Sequence, residues 1–338
     1  MKWNKKRISL YVLLLLVMMF VTLYPLPYYI YQPGTADALN PVVQVADGYE
    51  SQGDMHLVTV RGGQATTARY LWAMVRPYQE IEPLSKVFPE GISQEEYFQA
   101  QLQMMESSQE AATVVAYQAA GKDINISYQG VYVVSVVDGM PAEEKLQIGD
   151  RITAVNGQEV EDAEALIDTV DQNNNKDEIT LTIVREEEEL KVDIALAPFP
   201  DNPDQVGIGI QLVTDREVTV NPDLKFSSGD IGGPSAGLMF SLEIYDQLTE
   251  KDLTNGHQIA GTGEISYDGD VLKIGGIDKK VVAADKEGCE VFFAPNEDGA
   301  ADSNYQVALK TAKEIGTSME IVPVDTFEDA LNYLENLD

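Results

Sequence analysis

Gly229-Asp230-Ile231-Gly232-Gly233-Pro234-Ser235-Ala236-Gly237 runs straight into an apolar-periodic segment containing Leu238, Met239, Leu242, Tyr245 and Leu248. Pro234 suits a first helical turn, where a missing N–H costs nothing. Gly232 and Gly233 let the backbone turn sharply and approach a neighbour closely. Ser235 is therefore expected at a helix N-terminus, beside unpaired N–H groups and the positive end of the macrodipole. A developing oxyanion is stabilised there, which suits a nucleophile. On these residues alone, a plain helix start with a small residue in its first turn reads equally well.

Around that stretch, 338 residues are enough for two modest domains and an anchor, and a 44% hydrophobic content supplies a core. The formal net charge of −33 repels phosphate and argues against a nucleic-acid partner. With one cysteine, Cys289, no intramolecular disulfide forms. The only histidines are His56 and His257, too few for a histidine-rich metal site and unpromising for a Ser-His-Asp triad. His56 reads as an ordinary strand residue. No metal and no cofactor is expected.

At the N-terminus, Lys2, Lys5, Lys6 and Arg7 precede a run from Ile8 to Ile30 without a charge. A bilayer core needs about 20 such residues. The sequence therefore predicts a cytoplasmic basic tail (1–7), a transmembrane helix (8–30) and an extracellular remainder, with Tyr24, Tyr28, Tyr29 and Tyr31 as an interfacial belt. The rival is a cleaved signal peptide, for which Ala36-Asp37-Ala38 has the small-x-small form, although it lies well past the apolar run.

Residues 53–60 read as a strand, and 61–92 as a polar, proline-punctuated region. A helix is expected over 95–120, with Tyr97, Leu102, Met105, Ala112, Val115 and Ala119 on one face, a Ser93/Glu96 capping box and Gly121 as stop.

From Asn125 to Pro198 short strands surround one helix. Gly130 to Val137 is a β-branched run; Gly139-Met140-Pro141-Ala142, Ile148-Gly149-Asp150-Arg151-Ile152 and the turn Val155-Asn156-Gly157 follow, then a short helix over 161–171 and a strand over 179–184. Glu186 to Glu189 reads as a solvated turn. In order and spacing these elements resemble a bacterial PDZ domain. The resemblance implies a groove between the 130–137 strand and the 161–171 helix. A peptide would add there as a strand along Gly130, Val131, Tyr132 and Val133, its C-terminal carboxylate held by backbone N–H groups near Gly130.

Beyond Val206 strands and helices mix, which indicates an α/β or α+β domain. Strands are expected at 206–212, 217–220, 259–266, 291–295 and 319–324. Helices are expected after Ser235 and over 278–285, 305–314 and 327–337. Three blocks, Gly233-Pro234-Ser235-Ala236-Gly237, Thr262-Gly263-Glu264-Ile265 and Val271-Leu272-x-Ile274-Gly275-Gly276-Ile277-x-x-Lys280-x-x-Ala283-Ala284, resemble the proteolytic domain of Lon proteases. Residues 53–59 and 105–112 resemble that domain's first strand and first helix. The PDZ-like module thus reads as an insert. The expected architecture is α+β: a Lon-like domain in two parts (31–123 and 201–338) around a PDZ domain (124–200), behind one transmembrane helix. As a whole the chain resembles the membrane-anchored PDZ/Lon-like proteases of Gram-positive bacteria, a group with peptide-pheromone processing among its activities.

The resemblance implies a Ser-Lys dyad: Ser235 as nucleophile, Lys280 as base and Thr262 orienting the amine, with backbone N–H groups at Gly233 and Ser235 in the oxyanion hole. A lysine acts as a base only when neutral, so its pKa must fall from about 10.4 by desolvation. Lys279 is expected to be a solvated helix residue. Many Lon enzymes carry Asp three residues before the serine, where this chain has Gly232; Asp230 lies two residues earlier. No Gly-x-x-x-x-Gly-Lys-Ser/Thr phosphate loop is present, which predicts ATP-independent cleavage of short, flexible or unfolded exported substrates. Lon-type domains often form rings, so a homo-oligomer is possible. The competing readings are a non-catalytic, membrane-tethered PDZ adaptor and a trypsin-type protease; the latter lacks Gly-Asp-Ser-Gly-Gly.

Overall fold

The computed structural model describes residues 5–88, 94–173, 178–199, 202–229 and 231–337, without the side chains of Arg7, Glu96, Pro203 and Asp204. The Ser93/Glu96 capping box, Asp230 and the first four residues of the basic tail thus lie outside what is described. Two compact units are present, Met1–Asp123 with Val220–Asp338, and Ile124–Thr219.

The first half of the first unit contains α1 (Lys5–Leu23), β1 (Pro25–Ala38), β2 (Val43–Val45), β3 (Asp54–Thr66), α2 (Thr67–Ala73), β4 (Glu80–Pro83), α3 (Leu84–Val87) and α4 (Gln94–Ala119). The second unit is formed by β5 (Asp123–Val136), β6 (Arg151–Val155), β7 (Gln158–Glu159), α5 (Ala163–Gln172), β8 (Glu178–Arg185), β9 (Glu188–Ala195), β10 (Ala197–Phe199), β11 (Asn202–Gly207) and β12 (Ile210–Asn221). The first unit resumes with β13 (Leu224–Phe226), α6 (Gly237–Leu248), β14 (Gln258–Gly261), β15 (Glu264–Ile265), β16 (Val271–Leu272), α7 (Ile277–Glu287), β17 (Val291–Pro295), α8 (Asn304–Ile315), β18 (Glu320–Val324) and α9 (Phe327–Glu335).

The first unit is built on a sheet in the order β18-β17-β14-β3-β1-β4. Its β18, β17, β14 and β3 neighbours are parallel, while β1 runs antiparallel to β3 and β4. Successive strand residues point to opposite faces, so β17 is apolar throughout and buried on both sides. On one face Phe292 joins Val281, Ala284, Ala308 and Ala312 from α7 and α8. On the other, Phe293 meets Tyr333 of α9 edge-on. The helices begin and end where local chemistry dictates. Thr326 and Asp329 form a capping box at α9, and α7 lies between two left-handed glycines, Gly276 and Gly288.

The expected transmembrane helix is not found. Among the described residues no helix is long and apolar enough to cross a membrane. The apolar run is divided between two kinds of structure: α1 ends at Leu23, and Pro25 opens β1. Tyr29 and Ile30 pair with Gln64 and Gly63 on one side and with Glu82 and Ile81 on the other. The uncharged part of α1, Ile8 to Leu23, is 16 residues or about 24 Å, short of the ~30 Å hydrocarbon core. Of the tyrosines expected at an interface, three pack on other rings of the first unit, Tyr28 on Tyr70 and Tyr29 on Tyr31 and Phe88, while Tyr24 is exposed beside Phe20. The finding goes against the single-pass, extracellular placement.

The second unit holds a sheet in the order β12-β5-β6-β8-β9 with a core of Val131, Val133, Ile152, Leu166, Ile179, Leu181, Ile183 and Ile194. Two hairpin turns have positive φ at both central residues, Asn156-Gly157 and Glu186-Glu187. The acidic run is therefore half turn and half strand, because β9 starts at Glu188. Asp150, nearly fully buried, receives Arg185 Nε at 2.7 Å and Nη2 at 2.6 Å. That pair explains the Gly-Asp element structurally. The unit runs on to Thr219, past the boundary expected at 200. The stretches expected as two strands of the following domain, 206–212 and 217–220, instead end β11 and make up β12, and β12 pairs with β5.

Candidate active site

Three elements place the site. Residues 231–236 deliver Ser235 to the start of α6, two residues before the first helical residue, Gly237. Thr262 follows β14 directly. Lys280 lies one turn into α7, whose N-cap Gly276 has φ +70° and no room for a Cβ, because Val60 Cγ2 would lie 2.9 Å away.

Lys280 Nζ lies 2.6 Å from Ser235 Oγ and 2.8 Å from Thr262 Oγ1. The Thr262 hydroxyl in turn donates to the Ser235 carbonyl at 2.9 Å, and the Gly263 N–H donates to the same carbonyl at 3.0 Å. Thr262 and Lys280 are buried, at 1% and 4% exposure. Burial, which penalises the charged form, lowers the Lys280 pKa to about 7. Near neutrality the amine thus retains a lone pair able to accept the Ser235 proton.

Lys279 is not solvated as expected. It is buried on the other side of α7 and ion-paired with Glu80 at 2.8 Å and Asp278 at 3.2 Å. Adjacent helix positions are about 100° apart, so one lysine faces the serine and the other faces the carboxylates of Glu80 and Asp278. His257 lies with Glu290, Nδ1 to Oε2 at 3.0 Å, in a different cavity from Ser235. His56 is a buried β3 residue bonded to Gln258.

Of the two expected oxyanion donors, Gly233 is engaged: its N–H donates to the Gln101 carbonyl of α4 at 2.8 Å. Gln101 also accounts for Gly232. A Cβ there would lie 2.8 Å from Gln101 Cβ and 3.1 Å from its carbonyl carbon, so aspartate has no room. Ser235 opens on a cleft of about 990 Å3 lined by β3 (Val58 to Gly62), the first half of α4 (Tyr97, Phe98, Leu102), Ile231 to Ala236, Glu264 and Lys280. Burial raises the pKa of Glu264.

The expected peptide-holding residues Gly130, Val131, Tyr132 and Val133 lie in β5, whose neighbours in the sheet are β12 and β6, and Val131 and Tyr132 pair with Ile152 and Arg151. Gly130 is required for another reason: at φ +119° a Cβ would lie 2.4 Å from the Ile152 carbonyl oxygen.

The Lon protease (S16) C-terminal proteolytic domain matches residues 192–335, and the PDZ domain matches residues 101–196. The chain carries a PDZ domain and a Lon-type serine peptidase domain. The Lon protease of Campylobacter jejuni is 38% identical over 102 residues, 30% of this chain and 12% of that protein. The Lon protease of Mesomycoplasma hyopneumoniae is 33% identical over 102 residues, 30% of this chain and 11% of that protein. A peroxisomal Lon protease homolog 2 of Caenorhabditis elegans is 32% identical over 130 residues, 38% of this chain and 15% of that protein. The chain therefore spans only a small part of the length of the curated relatives it matches. Among solved structures, the PDZ domain of an SdrC-like protein from Listeria monocytogenes is 32% identical and covers 26% of this chain and 93% of that one, at a TM-score of 0.24.

The peptidase domain contains contacts that sequence reasoning did not assign. Ser108 of α4 donates to the Pro234 carbonyl at 2.8 Å, and Gln109 Nε2 reaches Ser228 Oγ at 2.9 Å. With Gln101 and Met105 they lie at helical spacing on one face, the only sequence signal they carry.

Proposed function

We propose that this chain is an endopeptidase working through a Ser235–Lys280 dyad. The observation that supports it most is a buried amine, pKa lowered to about 7, 2.6 Å from a hydroxyl that faces a large cleft. As Ser235 Oγ attacks the scissile carbonyl carbon, its proton passes to Lys280 Nζ. Thr262 Oγ1, accepting from Nζ, keeps the lone pair aimed at Oγ. The oxyanion develops beside the start of α6, where the Ser235 N–H and the helix dipole favour it. Lys280 returns the proton to the leaving amine, giving an acyl-enzyme ester. It then deprotonates the water that hydrolyses that ester.

The cleft favours an extended substrate. β3 pairs with β14 only over Asp54 to Leu57, and residues 58–62 continue along the cleft wall beyond that pairing. An extended segment would add to this backbone edge. No phosphate-loop motif occurs in the chain, so cleavage by this chain needs no nucleotide and acts on flexible or unfolded polypeptides. The PDZ domain would recruit them along β12, an edge strand of its sheet, beside α5, where the Ala163 N–H bonds Thr214 Oγ1 at 3.0 Å.

The test is cleavage of unstructured peptides without ATP by the wild type, Ser235→Ala and Lys280→Ala, with products read by mass spectrometry. Loss in both folded variants supports the dyad. Unchanged cleavage in Lys280→Ala overturns it. Inactivity of all three favours a non-catalytic PDZ adaptor.

A further inference from the structure

The dyad depends on where the backbone holds Ser235, and the residue that follows Pro234 has few restraints of its own. Proline donates no hydrogen bond, and three of the nearby residues, Gly232, Gly233 and Gly237, have no side chain. Such a turn has many conformations of similar energy unless something outside it selects one. On the C-terminal side the selection comes from within the site: Thr262 and Gly263 both bond the Ser235 carbonyl. On the N-terminal side it comes from α4. The Gly233 N–H is bonded to the Gln101 carbonyl, Gln109 holds Ser228, and the Ser108 hydroxyl donates to the Pro234 carbonyl.

Of these, Ser108 acts closest to the nucleophile. The carbonyl it holds belongs to the peptide group that joins Pro234 to Ser235, so fixing it fixes the rotation that aims Ser235. The side chain is 4% exposed, inside the junction of α4, α6 and β15. The junction is tight at Gly237. A Cβ at Gly237 would lie 2.8 Å from Ser108 Oγ and 2.6 Å from Ile265 Cγ2. The glycine after the nucleophile is thus the space into which the Ser108 hydroxyl fits. Replacing Ser108 by alanine removes the shorter of the two bonds to the Pro234 carbonyl without adding bulk and leaves that carbonyl held only by the longer one, from the Gly237 N–H at 3.3 Å.

We infer that Ser108 is a positioning residue for the nucleophile: its hydroxyl sets the Pro234–Ser235 peptide plane and so keeps Oγ within reach of Lys280 Nζ. The inference rests on the dyad reading. Misplacement of a reacting group by about 1 Å can cost on the order of 100-fold, so Ser108→Ala is expected to lower kcat by about 10- to 100-fold with KM nearly unchanged.

The experiment compares wild type, Ser108→Ala and Ser107→Ala, the last at the exposed neighbouring position, with Ser235→Ala as the test of the underlying reading. Three quantities are read: kcat and KM on one unstructured peptide, the pH profile of kcat/KM, and the rate of covalent labelling by a fluorophosphonate. In Ser108→Ala kcat and labelling should fall together. The kinetic pKa should stay near 7, because the burial that lowers it is untouched. Ser107→Ala should behave as wild type. A Ser108→Ala enzyme as fast as wild type overturns the inference. So does one whose pKa climbs towards the ordinary lysine range, because the site would then have loosened and admitted water, which is a structural role only. Residual cleavage by Ser235→Ala would instead sink the dyad reading, a different result from either. Should Ser108→Ala fold poorly, Ser108→Cys, which keeps the shape but offers only a weak S–H donor, is read in the same way.

Discussion

Lys280 carries opposing consequences for catalysis and stability. Its pKa falls from 10.5 to about 7 on folding, through desolvation. Activity should therefore rise with pH through about 7 as the amine loses its proton, and a kcat/KM profile flat across pH 6–8 would contradict this. For stability, between pH 7 and 10.5 the unfolded chain binds a proton that the folded chain lacks, so stability rises with pH across that window. Below pH 7 the folded protein holds a buried cation. Lys280→Met should accordingly raise Tm, by an amount worth up to a few kcal/mol at pH 6 and much less at pH 10. Thermal melts at the two pH values test the sign. Lys280→Arg should remove activity, because guanidinium stays charged and cannot act as the base. Thr262→Val keeps the shape but loses a hydroxyl that accepts from Nζ and donates to the Ser235 carbonyl. It should lower kcat about 10-fold or more, measurable on any peptide the wild type cleaves.

At the scale of elements, α6 links the site to a buried acidic patch. Ser235 stands at its start, and Glu243 and Asp246 lie within it at 4% and 2% exposure. Burial raises the Glu243 pKa from 4.5 to about 7, against the opposing hydrogen bond from Gln247. From pH 4.5 to 7 the folded chain holds a proton the unfolded chain has released, so this group makes stability fall as pH rises across that window. Glu243→Gln should flatten that slope in chemical denaturation at pH 5 and pH 7.5, and an unchanged slope would show that other groups set it. Gly237→Ala should destabilise by about 1–3 kcal/mol, because its Cβ would meet Ile265 and Ser108 and helix propensity cannot compensate. Comparing its denaturation midpoint with that of wild type tests this.

Over the whole molecule the chain leaves the first unit at Asp123 and re-enters it at Val220, and Asn221 Nδ2 lies 3.5 Å from Asp123 Oδ2. The two crossings are therefore adjacent, and the first unit closes without the insert. Replacing residues 124–219 with a short Gly/Ser linker costs little in loop closure. The resulting protein should fold, retain the low Lys280 kinetic pKa, and cleave short peptides at a rate within about 10-fold of the parent. Failure to fold would show that the insert is part of the first unit's core.

What the sequence determined by itself was local chemistry. Pro234 and the glycines around Ser235 dictate a turn into a helix; Asn156-Gly157 dictates a hairpin; Gly276 and Gly288 bound α7; the Ser235, Thr262 and Lys280 blocks carry the site in readable order. Each is written in residues within a few positions of one another. The tertiary structure decided everything that depends on a distant partner. Lys279 and Lys280 are chemically alike in sequence, and only the sheet beneath α7 and the carboxylate of Glu80 make one a charged ion pair and the other a desolvated amine. Tyr29 and Ile30 continue an apolar run that reads as one helix, until pairing with Gln64 and Gly63 turns them into strand. Gly130 to Val133 read as a strand from their β-branched run, and only the fold sets β12, from far along the chain, beside β5 in the sheet. Hydrogen-bond pairing and burial are set by residues tens to hundreds of positions away. A local pattern fixes which element forms, and the fold fixes which of its faces meets water.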